Sequence, residues 1–134
     1  MLAPLIGLAA CATTGDGGMH AHQPAAWTTL SGTAAYRERI ALPPNARLEV
    51  EIRDVSLADA PAPLIASVTI DAKGRQVPLP FALRYDNARL DLRHNYAVSA
   101  RITAGGELLW ITDTRNTLQP GQTNIALNLV SARR

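Results

Sequence analysis

The stretch Tyr36–Ala62, YRERIALPPNARLEVEIRDVSLADAPA, decides how the rest of this sequence folds. Within it, Leu48-Glu49-Val50-Glu51-Ile52-Arg53 alternates apolar and charged side chains without interruption. A period of two belongs to a β-strand with one face buried and the other in water. On the N-terminal side, Leu42-Pro43-Pro44-Asn45-Ala46 cannot extend that strand, because proline has no N–H to give a ladder. On the C-terminal side, Asp59-Ala60-Pro61-Ala62-Pro63 ends it again. The strand is thus bounded to Arg47–Val55, with Leu48, Val50 and Ile52 inward and Leu57 expected to join them just beyond.

The same reading carries outward. Trp27–Tyr36 is rich in β-formers around Gly32, where a bulge or close contact is expected. Leu64–Asp71 places Leu64, Ala66, Val68 and Ile70 on one face. Phe81–Asp86 alternates Phe81, Leu83 and Tyr85 with polar residues, and Pro78 and Pro80 put its beginning at a sheet edge. Asn87–Asn95 is a connection expected to be anchored by Leu90 and Leu92. Tyr96–Ala104 buries Tyr96, Val98, Ala100 and Ile102, and Gly105-Gly106 is a two-residue hairpin signal leading to Glu107–Asp113. Thr114–Gln122 reads as a loop, and Thr123–Val130 as a last strand burying Ile125, Leu127 and Leu129. With no helical period, the expectation is an all-β fold: a single antiparallel, Greek-key-like β-sandwich of about seven strands over 27–134. Tyr96 occupies the place of a tyrosine corner, although a plain core tyrosine fits the pattern equally well.

Composition narrows the function classes. In 134 residues the net charge is +2, and acidic and basic residues interleave along the strands. That is a solvated β-face with no basic stripe for nucleic acid. One cysteine permits no intrachain disulfide. Met19, His20 and His22 are of metal-ligating types but lie in a Gly-rich polar stretch without a second shell, so no metal is expected. A serine–histidine–aspartate arrangement would have to use His94, with Asp86 or Asp91 and one of Ser31, Ser56, Ser67 or Ser99. No nucleophile-elbow motif accompanies them. Glu49 and Glu51 share a strand face with Arg53 and read as solvating charges. The expectation is therefore a non-enzyme, with no cofactor and no small-molecule substrate.

The N-terminal residues carry an address. Met1–Ala10 is apolar and uncharged, far short of the roughly 20 residues that span a bilayer, and reads as the end of a signal peptide. Leu8-Ala9-Ala10-Cys11 resembles the lipobox of bacterial lipoproteins, in which the cysteine is acylated and becomes the new N-terminus. No Lys or Arg precedes the apolar run, the pattern of a signal peptide truncated at its start. The expected organisation is a signal peptide over 1–10, a lipidated Cys11 with a flexible tether over 11–26, then the sandwich. Ala12, where an inner-membrane retention signal would have Asp, implies by resemblance the outer membrane, with the domain facing the periplasm.

Further motifs carry a family resemblance: Ser31-Gly32-Thr33, the run Tyr36–Pro44, Leu48–Asp54, Pro78-Leu79-Pro80-Phe81, Tyr85-Asp86, Tyr96-Ala97-Val98 and Leu108–Asp113. Together they resemble the YbaY-type lipoproteins, which belong with the YscW-type secretion chaperones, or pilotins. The resemblance implies a small β-sandwich on a lipid anchor, acting on a protein client such as a secretin; it supplies no catalytic residues. Tyr36, Arg37 and Arg39 are the candidate partner-binding residues, either by adding a strand to an adjacent edge or beside a groove between sheets. Their other reading is a charged guard on a sheet edge. The alternative function is a structural or envelope-stress lipoprotein with no dedicated client.

Cys11→Ser is expected to abolish acylation and with it the lipid's share of membrane attachment. Fractionation and intact mass, which loses the acyl chains, read this directly.

Overall fold

The structure is a computed structural model that describes residues 26–57 and 60–132. The expected signal peptide, Cys11 and the tether up to residue 25 lie outside the described residues. Eight strands follow in order: β1 (Trp27–Tyr36), β2 (Ala46–Asp54), β3 (Leu64–Asp71), β4 (Leu79–Asp86), β5 (Tyr96–Ala104), β6 (Glu107–Ile111), β7 (Asn116–Leu118) and β8 (Asn124–Ser131). Besides the strands, the regular structure among the described residues is a one-turn 3₁₀ helix, Asn87–Arg89.

The all-β expectation holds, with a different closure. The strands form one continuous path, β3-β2-β5-β6-β8-β1-β4, with β7 added to β5. It curls into a nearly closed barrel whose open seam lies between the edge strands β3 and β4, which pack alongside each other without a ladder. Prolines 78 and 80 do sit at an edge strand, as their missing donors require. All pairings are antiparallel except one: β1 runs parallel to β8, from Ser31 beside Asn124 to Tyr36 beside Leu129. β8 then crosses to the other half of the barrel, meeting β6 only at Trp110–Ser131 and Ile111–Val130.

Alternation along each strand builds the interior. β2 buries Ala46, Leu48, Val50 and Ile52, β4 buries Leu79, Phe81, Leu83 and Tyr85, and β5 buries Tyr96, Val98, Ala100 and Ile102. Each large apolar side chain so buried contributes about 2 kcal/mol. Among the described residues no polar or charged side chain is buried. The outward face of β2 is stapled by charge: Arg101, across from Glu49, pairs with Glu49 and reaches Glu51 at 3.6 Å, while Arg53 Nε meets Glu51 at 3.0 Å.

Two expected core residues are not in the core. Leu57 is 70% and Leu92 is 85% exposed. Both lie in loops, where chain direction rather than strand alternation sets which way a side chain points. Thr114–Gln122 is not all loop, since Asn116–Leu118 pairs with β5 at Tyr96–Val98. Tyr96 takes the corner role: it is buried, and its hydroxyl accepts the Asp91 N–H at 2.8 Å.

At Gly32 the parallel pairing becomes a close approach. A Cβ there would meet the Ile125 carbonyl oxygen at 2.1 Å and Ile125 Cγ2 at 2.9 Å. Backbone cannot yield as a side-chain tip can, so Gly32→Ala is expected to cost about 3 kcal/mol. Urea unfolding measures it.

Candidate functional site

The pairing registers sort the molecule into two ends. At the entry end, β1 begins at Trp27 opposite Asp86, where β4 finishes; β2 finishes at Asp54 opposite Tyr96, where β5 begins. At the far end, β1 leaves at Tyr36, β2 starts at Ala46 and β5 finishes at Ala104. The candidate block Tyr36–Arg39 therefore stands at the far end, about 30 Å from Trp27 by strand length.

Tyr36 is not itself a contact surface, which corrects its place among the partner-binding candidates. It is 6% exposed, and its ring stacks on Trp110 with centroids 3.7 Å apart and planes 2° from parallel. Its hydroxyl donates to the Ile40 carbonyl, fixing the loop that carries Arg37 and Arg39. Burial, then the nearby Glu38 charge, pushes its phenol above the ordinary range. Arg37, Glu38, Arg39 and Ile40 are all exposed. The buried ring orients the block; the exposed side chains face outward.

Little free edge is left beside this block for an added partner strand, since β8 pairs with β1 up to Tyr36 and β4 up to Ala34. The strand next to it, β1, is hydrogen-bonded to β4 on one edge and β8 on the other. What lies beside the block is a wedge. Because β8 joins β6 over two residue pairs only, the barrel wall opens there into a depression of ≈ 390 Å³. It is lined by Arg37, Glu38, Asp113, Thr114, Asn128, Leu129 and Val130, of which Leu129 turns its side chain into the core. Asp113, Thr114 and Asn128 went unnoticed in the sequence, which carries no signal of how β8 diverges from β6. The half-buried Val130 among charges of both signs suits a short amphipathic peptide segment.

The catalytic constellation considered for His94 is arranged for another purpose. His94 Nδ1 lies 2.6 Å from Asp54 Oδ2, and Asp54 Oδ1 accepts the Ser56 N–H at 3.0 Å. The Ser56 hydroxyl oxygen in turn accepts the Asn95 N–H at 2.8 Å. A relay needs the serine bonded to the histidine; here both converge on Asp54, tying the end of β2 to the loop before β5. Hydrogen bonds from Ser56, then His94, hold the Asp54 carboxyl below its ordinary value. The Arg93 side chain and backbone hold Asp91 at about 2. Glu49 and Glu51 have Arg101 between them, paired with Glu49 and 3.6 Å from Glu51. Among the described residues, no group of three or more His, Cys, Asp or Glu is placed to hold a metal ion.

Comparison with known proteins matches this geometry to relatives. The model of the YscW family, "Type III secretion system lipoprotein chaperone (YscW)", matches residues 25–129. The lipoprotein YbaY of Escherichia coli (strain K12) is 36% identical over 143 residues, covering 96% of this chain and 75% of that protein. An alternative pilotin from the type II secretion system of Vibrio cholerae has a similar structure, with a TM-score of 0.76 and 42% identity. That match covers 81% of this chain and 100% of the pilotin.

Two expectations follow from the side chains. Tyr36→Phe keeps the stack and loses one hydrogen bond, costing about 1 kcal/mol, whereas Trp110→Ala empties half the stack and costs about 3–5 kcal/mol; denaturant titration separates them. Asp54 and Asp91 have depressed carboxyls in the folded state. Their stabilisation is therefore present above the ordinary 3.8 and is lost as pH falls through the folded values, about 2 for Asp91. The double variant Asp54→Asn, Asp91→Asn is expected to flatten stability against pH in that window.

Proposed function

The chain belongs to the YscW family of secretion-system lipoprotein chaperones, and from that membership we propose that it is a lipid-anchored, pilotin-type binding module for a secretin. In this reading Cys11 carries the lipid, the outer membrane is the anchor and the domain faces the periplasm. The work is non-enzymatic: a tethered domain meets its client at a high effective concentration, so a modest contact suffices for capture.

The observation that carries the proposal is the wedge beside Arg37, open at the far end of the barrel. A segment of the client lays an apolar side chain on the half-buried Val130, and its acidic residues meet Arg37 and Arg39. Tyr36 contributes from inside, by holding the loop in place through Ile40. The wedge stands away from the end at which the chain enters the domain, so a client bound there is not obstructed by the anchor.

A photo-crosslinker at Thr114 or Asn128 in the lipidated protein is expected to capture an outer-membrane client, identified by mass spectrometry. Arg37→Glu with Arg39→Glu is expected to lower that capture about tenfold and to reduce secretin multimers in the membrane. Unchanged capture after charge reversal removes the wedge as the site. Secretin multimers unchanged on deletion of the gene leave the lipoprotein without this client.

A further inference from the structure

The two ends of the barrel differ in what they leave exposed. Six large apolar side chains are exposed among the described residues: Trp27, Ile40, Leu57, Leu64, Leu92 and Leu108. Ile40 and Leu108 stand at the far end; the other four stand at the entry end. Trp27 opens β1, Leu57 follows β2, Leu64 opens β3, and Leu92 lies in the loop between β4 and β5. That loop bridges the entry end. Asn87 N donates to the Ala26 carbonyl at 2.9 Å beside Trp27, Arg89 Nη1 donates to the Ile65 carbonyl at 3.1 Å beside Leu64, and Asn95 is bonded to Ser56 beside Leu57.

Polar groups at this end are arranged to leave the apolar ones outermost. Among the described residues its carboxylates are occupied within the domain: Asp54 by His94 and Ser56, Asp86 by the N–H groups of Ala26 and Ala88, Asp91 by Arg93. The Arg84 guanidinium lies 4.9 Å over the Trp27 ring. Arg84 and Arg89 have no carboxylate partner among the described residues. A tryptophan with an arginine against its ring, surrounded by leucines on loops, has the amphipathic character that favours the boundary between acyl chains and headgroups.

We infer that the entry end is a membrane-contacting face, with Trp27, Leu57 and Leu92 entering the headgroup boundary of a phospholipid surface and Arg84 and Arg89 meeting lipid phosphates. The position of the chain outside the structure selects the bilayer as occupant. Ala26, the first described residue, stands at this end, and the fifteen positions back to Cys11 span at most about 50 Å. This distance rests on the lipid-anchored reading above; the apolar asymmetry does not. With the anchor in place, weak insertion of three side chains is enough to seat the domain, because a second hydrophobic attachment adds to the first. Seated in this way, the barrel stands with its wedge directed away from the lipid.

The test uses the full chain carrying Cys11→Ser, so that no acyl chain contributes, with vesicles of phosphatidylethanolamine and phosphatidylglycerol. Trp110 is stacked in the core, so a change in tryptophan emission on adding vesicles reports Trp27. The expected result is a blue shift, quenching by brominated acyl chains, and co-sedimentation that falls about tenfold or more in Leu57→Ser, Leu92→Ser. Ile40→Ser, at the opposite end, is expected to bind as the parent does. All three positions are exposed, and retention of the near-ultraviolet signal of the Tyr36–Trp110 stack verifies the fold in each variant. Emission indifferent to vesicles overturns the inference. So does binding reduced equally by Ile40→Ser, or binding untouched by Leu57→Ser, Leu92→Ser and therefore due to residues 1–10. Failure of the anchor itself is a separate result, read from the intact mass of the protein with native Cys11.

Discussion

The stack of Tyr36 on Trp110 is the contact on which the shape of this domain depends. The two rings come from β1 and β6, strands separated in the sheet by β8, and they meet face to face where β8 holds β6 by only two residue pairs. Backbone bonds are few at this join, so the wall is closed there by side chains. Ring-on-ring contact of this kind combines a large buried area with a preferred geometry. It lets β8 diverge from β6 without the interior opening to water, and the divergence is what makes the wedge. A fully paired β6–β8 ladder would have left a smooth barrel wall and no depression beside Arg37.

The tyrosine hydroxyls extend the same logic to the loops. The chain has three tyrosines, and each buries its ring and spends its hydroxyl on loop backbone. Tyr36 donates to the Ile40 carbonyl, Tyr85 to the Gln122 carbonyl at 2.8 Å, and Tyr96 accepts from the Asp91 N–H. A buried hydroxyl without a partner is costly, so each ring can be buried only if its loop takes one conformation. The loops carrying Arg37 and Arg39, the β7–β8 turn and the Leu92 loop are thereby placed by the core. Gln76 does similar work at the far end, its amide oxygen accepting the Leu42 N–H at 2.7 Å.

Strand positions were legible in the sequence because period-two alternation is a local property. Leu48 to Arg53 announces β2 and its buried face, and Tyr96 to Ile102 does the same for β5. Strand order was not legible. Alternation says which face a residue occupies and nothing about its neighbour, so the parallel pairing of the first strand with the last could not be read from it. Gly32 did mark a close approach, but not to which strand. β7 is three residues long, too short to show a period. Leu57 and Leu92 lie outside any strand, and apolar type alone does not bury a side chain. The exposure of Arg37 and Arg39 was legible; the burial of Tyr36 beneath them was not, because its partner Trp110 is 74 positions away.

These facts give the barrel a polarity. Its strands are nearly symmetric end to end, yet the connections differ in chemistry. The far end has the Pro43-Pro44 turn, the Arg37–Arg39 block and Gly105-Gly106, polar and tightly turned. The entry end has long loops in which Asp54, Asp86 and Asp91 are satisfied internally and the leucines are not covered. Neither pattern follows from the needs of folding, since the buried core contains none of these exposed residues. A domain selected for stability alone has no reason to place exposed leucines mainly at one end and the exposed Arg37–Arg39 block beside an open wedge at the other. A domain that works between a lipid surface and a protein client needs that separation, because a single end serving both would let one partner exclude the other.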